Sequence, residues 1–230
     1  MTTSLAQIAL GANLPSPHGA PQDTLRRAIE RLSATGLPVV AQSSLYRTPC
    51  MPAGAGPDYV NACVTVQLAA GETPDALLAQ LHAVEAWCGR ERRDRWGSRT
   101  VDLDLLAIGD QVLPDEAAFQ TWHDLPFAAQ MRQTPDRLIL PHPRLQDRAF
   151  VLVPLNEIAP DWRHPVLGLS VAQMCAALPH ADRDAIAAIG AGDSQAESEA
   201  DGAAESEADG AGGGAGGGAG GGEGPGCIGG

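Results

Sequence analysis

Apolar and acidic residues alternate near the middle of the chain. Val101, Leu103 and Leu105 alternate with Asp102 and Asp104, and a period of two is typical of a β-strand with one buried face. Such a strand places both carboxylates on its other face, roughly 6.5 to 7 Å apart. At an effective dielectric constant of about 20, the two charges repel by about 2.5 kcal/mol. We therefore expect a metal cation or arginine side chains beside them.

Apolar spacing in the rest of the first half predicts alternating strands and helices. Their order is strand-helix-strand-strand-helix-strand, which is the order of the ferredoxin-like split βαβ unit. We predict an α+β fold with a ferredoxin-like βαββαβ core, in which an antiparallel sheet is flanked by helices that cover one face. The predicted strands lie at residues 5–10, 39–46, 59–68 and 101–106, and the predicted helices lie between Asp23 and Gly36 and between Thr73 and Gly89.

The later part of the chain has less regular patterns. Short strands are predicted at 111–113 and 138–140, and the irregular segment between them is interpreted as an insertion at about residues 115–137. Residues 148–158 are apolar and helix-like, although an internal proline weakens that interpretation because proline interrupts helical hydrogen bonding. A last helix is predicted at 172–178.

The C-terminal segment has a different composition from the rest. From Gly190 onward the sequence consists largely of Gly, Ala, Ser and acidic residues, and it carries eight acids without a base, which is most of the net charge of −13. A segment of this kind cannot bury enough apolar surface to fold. We predict one domain at residues 1–185 and a disordered acidic Gly/Ala-rich tail at residues 186–230.

Basic residues are concentrated just before the strand with the two aspartates. The chain contains fifteen basic residues, all of them arginine. Guanidinium groups followed by two carboxylates suit a complex of polyphosphate with magnesium, because arginine binds phosphate oxygens and carboxylates bind the metal. The other interpretation is a solvated strand edge with ordinary ion pairs. The arginines of this loop are Arg90, Arg92, Arg93, Arg95 and Arg99.

Three features of the sequence bear on location. Residues 1–5 lack the basic region and the apolar stretch of a secretory signal, and no apolar run reaches membrane-spanning length. The five cysteines are scattered without a C-x-x-C pair, which is typical of reduced thiols. We expect a cytoplasmic protein that does not bind membranes.

Several motifs follow one another in the order found in a known family. Residues 95–106 (RWGSRTVDLDLL) carry the strongest match, and further matches are GANL at 11–14, SSLYRTP at 43–49, PDYVN at 57–61, PHPR at 141–144, DRAF at 147–150 and PLNEIAP at 154–160. Together they cover roughly residues 4 to 180, and they resemble 6-hydroxymethyl-7,8-dihydropterin pyrophosphokinase. Each motif alone is weak evidence, whereas their shared order is strong evidence.

The resemblance implies a reaction and its partners. In the family, the hydroxymethyl oxygen of the pterin attacks the β-phosphorus of ATP, pyrophosphate is transferred and AMP is released, in the pathway to tetrahydrofolate. Two Mg²⁺ ions are implied, bound by Asp102 and Asp104. The expected partners are ATP and the pterin, with no nucleic acid, and a monomer is expected.

The resemblance also implies roles for individual residues. Arg90 and Arg99 would contact the phosphates or the stacked ligand and, with Asp102 and Asp104, form the catalytic set. Trp96 would anchor a mobile loop that closes over the substrates. The implied ATP-binding residues are Glu85, Arg92, Trp96, Arg99, His142 and Arg148.

The pterin ring would bind between aromatic side chains and amide groups. Tyr59 and Phe150 match an aromatic pair that stacks on the ring, and Asn61 offers an amide donor and acceptor to its edge. The implied pterin-binding residues are Thr48, Pro49, Met51, Tyr59, Asn61 and Phe150.

Two other classes of function remain open at this point. A ferredoxin-like sheet with an arginine-rich loop also suits an RNA-binding module, although no aromatic RNA-binding motif is present in the sequence. A two-metal phosphohydrolase could also use Asp102 and Asp104. Pterin-independent hydrolysis of ATP would distinguish the phosphohydrolase.

Overall fold

The computed structural model describes residues 4–50, 56–90, 100–126, 129 and 132–190. Four residues implied above, Met51, Arg92, Trp96 and Arg99, lie outside these ranges. The strands are β1 (Leu5–Ala12), β2 (Val39–Gln42), β3 (Tyr46–Thr48), β4 (Tyr59–Gln67), β5 (Asp102–Ile108) and β6 (Ala187–Ala188). The helices are α1 (Pro21–Ala34), α2 (Pro74–Trp87), α3 (Glu116–His123), α4 (Ala149–Ile158), α5 (Val171–Ala177) and α6 (His180–Asp184), with a 3₁₀ turn at Leu145–Asp147.

The strands form an antiparallel sheet in the order β5-β1-β4-β3-β6, and β2 also pairs with β4. Helix α1 connects β1 to the β2–β3 segment, and α2 connects β4 to β5. This topology is the split βαβ unit, so the predicted α+β class is confirmed. The strand predicted at 39–46 is interrupted, because the Ser43 hydroxyl accepts from the Cys63 amide and donates to the Ser44 carbonyl, which diverts the backbone locally.

Helices cover both faces of the sheet. Ile8 and Val64 belong to the core beneath α1 and α2, and we call this side the first face. Ala9, Cys63 and Leu106 pack on the opposite side with residues of α4 and α5, and this is the second face. The expectation of helices on one face was therefore wrong. Helices lie on both faces because the central strands direct apolar side chains to both sides of the sheet, and each apolar face must be buried.

The two helices on the first face begin as the sequence suggests, with one shift. Thr73 caps α2 by accepting from the Ala76 amide at 3.2 Å, and Pro74 occupies the first turn. Helix α1 begins two residues before the expected cap, because Pro21 starts the helix and Asp23 lies in its first turn.

The segment interpreted as an irregular insertion contains a helix. Asp115 caps α3 by accepting from the Ala118 amide at 2.8 Å, and Phe119 is fully buried with its ring 5.1 Å from that of His164. A capped turn and one buried aromatic are sufficient to fix a short helix on the protein. The segment is therefore packed on the later part of the chain rather than irregular throughout.

The short strands predicted at 111–113 and 138–140 are reduced to one bridge. Leu113 and Leu140 exchange backbone hydrogen bonds at 2.9 and 3.0 Å. Pro114 and Pro141 follow these residues directly, and proline has no amide proton to continue a strand ladder.

Helix α4 continues through its proline. Pro154 cannot donate to the carbonyl of Phe150, yet α4 extends from Ala149 to Ile158. Val151, Leu152 and Leu155 are fully buried against the second face. Burial of these side chains outweighs one lost hydrogen bond.

The sheet continues past the expected domain boundary at residue 185. Ala187 and Ala188 pair with β3, and the Ile189 amide donates to the Leu45 carbonyl at 2.8 Å. The tail from residue 191 lies outside the described residues. In the part that the structure describes, no helix is long and apolar enough to span a membrane.

The described cysteines differ from the expectation of reduced thiols at one position. Cys63, Cys88 and Cys175 are buried free thiols. Cys50 is disulfide-bonded.

Candidate active site

The strand registers bring the two halves of the expected site into one row. Asn61 of β4 lies opposite Gly11 of β1, and Gly11 lies opposite Asp102 of β5. Directly opposed residues point to the same side of a sheet. Asp104 lies opposite Ala9, and Ala9 packs on the second face, so this row belongs to the second face as well. The carboxylates and the amide of Asn61 therefore share the second face, and the missing side chain of Gly11 leaves room on β1 for the Asn61 side chain.

Arginine side chains neutralise both aspartates. Nη1 of Arg90 lies 2.6 Å from Oδ1 of Asp102, and Nη1 of Arg148 lies 3.4 Å from Oδ2 of Asp104. The apolar residues that alternate with the aspartates, Val101, Leu103 and Leu105, are buried in the core of the first face. The alternation predicted from the sequence is confirmed, and arginines supply the expected positive charge.

Glu85 holds Arg90 next to Asp102. One carboxylate oxygen of Glu85 accepts from the Leu103 amide at 2.9 Å and from Arg90. Burial raises the pKa of Glu85 to about 7, although the Leu103 amide and the charge of Arg90 act in the opposite direction. The last turn of α2 is thus connected to the first residues of β5 through a carboxyl group that is nearly inaccessible to solvent.

His142 is a neutral hydrogen-bond donor in a cationic environment. Its backbone amide donates to the Leu106 carbonyl at 2.8 Å, and its Nδ1 accepts from the Arg144 amide at 3.1 Å. The proton of the neutral ring therefore lies on Nε2. Burial, followed by the charges of Arg148 and Arg144, lowers the pKa of His142 well below its ordinary value.

The residues implied in pterin binding lie beside this cluster. Nδ2 of Asn61 donates to Oγ1 of Thr48 at 2.9 Å, and Tyr59 lies opposite Thr48 in the register of β3 and β4. Phe150 is at the start of α4 on the second face, and the guanidinium of Arg148 is 5.7 Å from the centre of its ring. Arg148 therefore contacts both Asp104 and Phe150. Pro49 is exposed directly after β3.

Some residues of the site were not assigned a role from the sequence. Gly11 was recognised only as part of a motif, although a glycine inside a strand already indicates close approach of another group. Arg144 is close enough to His142 and Arg148 to affect both electrostatically. Glu157 was part of the last motif, but its contacts depend on the fold.

The donor atoms present are suitable for magnesium. Asp102 and Asp104 offer hard carboxylate oxygens that remain partly exposed, with 19% and 33% of their side-chain surfaces accessible. Among the described residues there is no group of three or more His, Cys, Asp or Glu that could hold a metal. Two carboxylates completed by substrate phosphates and water are a usual magnesium environment, and the two arginines show that each carboxylate accepts a cation.

Comparison with known proteins identifies the family. Residues 7–160 match the model of the family described as 7,8-dihydro-6-hydroxymethylpterin-pyrophosphokinase (HPPK). The chain belongs to this family. It is 40% identical over 174 residues to the 2-amino-4-hydroxy-6-hydroxymethyldihydropteridine pyrophosphokinase of Pseudomonas aeruginosa, covering 75% of this chain and 90% of the relative. It is 39% identical over 170 residues to the pyrophosphokinase of the same name from Synechocystis sp., covering 74% and 73%.

Solved structures of HPPK-containing proteins share the fold. The wild-type HPPK-DHPS of Plasmodium falciparum superposes with a TM-score of 0.53 at 14% identity, covering 76% of this chain. This chain spans 44% of the length of that protein. At this identity the superposition supports the fold alone, which agrees with the family assignment from sequence.

Proposed function

We propose that this HPPK family member uses the second face of its sheet to bring the β-phosphorus of ATP to the hydroxymethyl oxygen of 6-hydroxymethyl-7,8-dihydropterin. A bond forms between that oxygen and the β-phosphorus, and the bond from the β-phosphorus to the α,β-bridging oxygen breaks. AMP leaves with the bridging oxygen, and the hydroxyl proton is released. The products are AMP and the pterin diphosphate, a precursor in tetrahydrofolate biosynthesis.

The row Asn61–Gly11–Asp102 is the observation that carries this proposal. Neighbouring strands are about 4.8 Å apart, so the backbones of Asn61 and Asp102 are separated by about 10 Å, and the Asn61 side chain lies over the glycine between them. That spacing suits a flat ring beside Asn61 with its hydroxymethyl group directed toward Asp102. Positioning of this kind supplies much of the catalysis in phosphoryl-type transfers.

The proposed metal ligands are Asp102 and Asp104, which would hold two Mg²⁺ ions with the phosphates of ATP. When bound, such ions neutralise phosphate charge and increase the acidity of a coordinated hydroxyl. The carboxylates would exchange the guanidinium groups of Arg90 and Arg148 for metal. The arginines would then be available to the phosphate oxygens, which they bind well.

Other residues of the cluster would bind the triphosphate directly. Nε2–H of His142 would donate to a phosphate oxygen without adding charge, and Glu85 would keep Arg90 within reach. Arg92, Trp96 and Arg99 lie outside the described residues, and their roles in ATP binding and loop closure stay predictions.

On the ring side, Asn61 and Thr48 would bind the polar edge of the pterin. Tyr59 and Phe150 would contact its flat faces, since both border the second face next to Asn61. Pro49 follows at the end of β3, and Met51 lies outside the described residues; their contacts stay predictions.

Dependence of ATP consumption on the pterin tests this proposal. With Mg²⁺ present, ATP should be consumed only when 6-hydroxymethyl-7,8-dihydropterin is added, because the acceptor oxygen belongs to that substrate. Hydrolysis at the same rate without pterin would instead support a two-metal phosphohydrolase. Strong, salt-dependent binding of RNA would support the RNA-binding alternative. The expected monomer in the cytoplasm is a separate proposal, for which sedimentation and cell fractionation are the measurements.

A further inference from the structure

The carboxylate of Glu157 receives three hydrogen bonds from one segment of the sheet. Oε2 accepts from the Ser44 amide at 2.8 Å and from the Tyr46 hydroxyl at 2.9 Å, and Oε1 accepts from the Ser44 hydroxyl at 3.0 Å. Burial and the charge of Glu157 raise the pKa of Tyr46 to about 12, so its hydroxyl remains a donor. Glu157 lies at the end of α4, Tyr46 is the first residue of β3, and Ser44 lies two residues before it.

Glu157 makes three hydrogen bonds to protein groups that water could have made instead. Glu157 is exposed, and water would satisfy an exposed carboxylate at little cost. Instead both of its oxygens are bound by groups more than 110 residues away in the sequence. A set of charge-assisted bonds with this geometry fixes the position of two elements relative to each other.

Helix α4 is held at both ends across the second face. Arg148, at its first end, bonds to Asp104 of β5, and Glu157, at its last end, bonds to Tyr46 of β3. A ten-residue helix is about 15 Å long, and β5 and β3 are three strand spacings apart, or about 14 Å. The helix is therefore long enough to reach from β5, which carries Asp104, to β3, which carries Thr48.

The tyrosine that Glu157 holds lies next to the proposed ring-binding residues. Tyr46 lies directly opposite Asn61, and Thr48, two residues further on the same face, accepts from the Asn61 amide. Helix α4 carries Phe150. Loss of the Glu157 contact would release α4 from β3 and change the separation between Phe150 and the Asn61–Thr48 pair.

We propose that Glu157 is a positioning residue for the pterin: it sets the width of the ring pocket by holding α4 against β3, and it acts through Ser44 and Tyr46 without touching substrate. This inference rests on the proposed pterin site. It predicts a selective effect, because the phosphates would be bound by Arg148, at the other end of α4, and by Arg90, which Glu85 holds in place.

Separate binding measurements test this role. Dissociation constants are measured for a Mg²⁺ complex of a non-reactive ATP analogue, and for the pterin in the presence of that complex. Glu157→Ala should raise the pterin constant by about tenfold, with the ATP-analogue constant changed by less than about twofold. Tyr46→Phe should raise the pterin constant by about threefold, and it should add almost nothing in the Glu157→Ala background. Asp161→Ala, which removes an exposed acid just after α4, is the control and should behave as wild type.

The possible results lead to different conclusions. An unchanged pterin constant in Glu157→Ala, or an equal loss for both ligands, would overturn the positioning role. If Glu157→Ala does not fold, Tyr46→Phe decides alone, and a pterin constant equal to that of wild type would overturn it. If the wild-type protein itself binds the ATP analogue and no pterin, the proposed function fails, whatever the variants show.

Discussion

A β-carbon placed on Gly11 would lie 2.9 Å from Oδ1 of Asn61. Real β-carbons do not approach an oxygen that closely, so one of the two groups would have to move. Asn61 is 95% buried and its amide is bonded to Thr48, so its side chain has little freedom. Glycine at position 11 is therefore required for the orientation of the Asn61 amide.

Gly11→Ala should weaken pterin binding through Asn61. We expect the pterin dissociation constant to rise by about tenfold and the free energy of unfolding to fall by about 1–2 kcal/mol. Fluorescence titration and urea unfolding are the measurements. In an Asn61→Ala background the added methyl group has nothing to displace, so Gly11→Ala should then have almost no effect on binding. Full additivity of the two substitutions would show that Gly11 acts independently of Asn61.

Asp104→Asn should separate pterin binding from turnover. The amide oxygen can still accept from Arg148, so the fold and the pterin constant should be nearly unchanged, whereas a neutral ligand cannot hold magnesium as a carboxylate does. We expect kcat to fall at least about a hundredfold. Calorimetric titration with Mg²⁺ and an ATP analogue should show fewer bound ions than in wild type. Activity close to wild type would count against Asp104 as a metal ligand.

Stability should depend on pH through His164. Nδ1 of His164 accepts from the amides of Val166 and Leu167, so protonation there would oppose two N–H donors. Burial lowers the pKa of His164 to about 4, and the nearby His123 adds to the shift. The unfolded chain, with an ordinary pKa of about 6.5, binds the proton first. The contribution of neutral His164 to the free energy of unfolding should therefore be complete above about pH 6.5 and should decrease as the pH falls toward about 4.

His164→Asn is the matched variant for that effect. The asparagine oxygen can accept the same two amides but cannot be protonated in this range. Wild type should lose up to about 2 kcal/mol more unfolding free energy than the variant between about pH 7 and pH 4, after allowing for partial solvation. Urea unfolding at several pH values measures the difference in unfolding free energy between the two proteins. Groups such as Glu85 titrate in both proteins, so their contributions cancel in this difference. Parallel pH profiles would show that the pKa of His164 is the same in the folded and unfolded protein, which would contradict this prediction.

The features that could be predicted from the sequence are those set by local pattern. The alternation around Asp102 and Asp104 gave the faces of β5 correctly, because a strand with one buried side has no other way to arrange three aliphatics and two acids. Thr73 followed by Pro74 marked the start of α2, since cap chemistry is local. The element order then restricted the topology to the split βαβ unit.

The features that could not be predicted depend on contacts between distant segments. Pro154 weakened the prediction of α4, yet burial against the second face maintains the helix. The bonds of Glu157 to Ser44 and Tyr46 join positions that only the folded sheet brings together. Asp102 and Asp104 were expected beside metal or arginine, and the sequence could not specify which arginines approach them.

Identification of the nucleotide product tests the central claim most directly. Protein, Mg-ATP and 6-hydroxymethyl-7,8-dihydropterin are incubated, and the nucleotides are separated and quantified together with the phosphorylated pterin. Attack on the β-phosphorus requires one AMP for each pterin diphosphate formed, with no ADP and no free phosphate. Formation of ADP with a pterin monophosphate, or of free phosphate, would contradict the account.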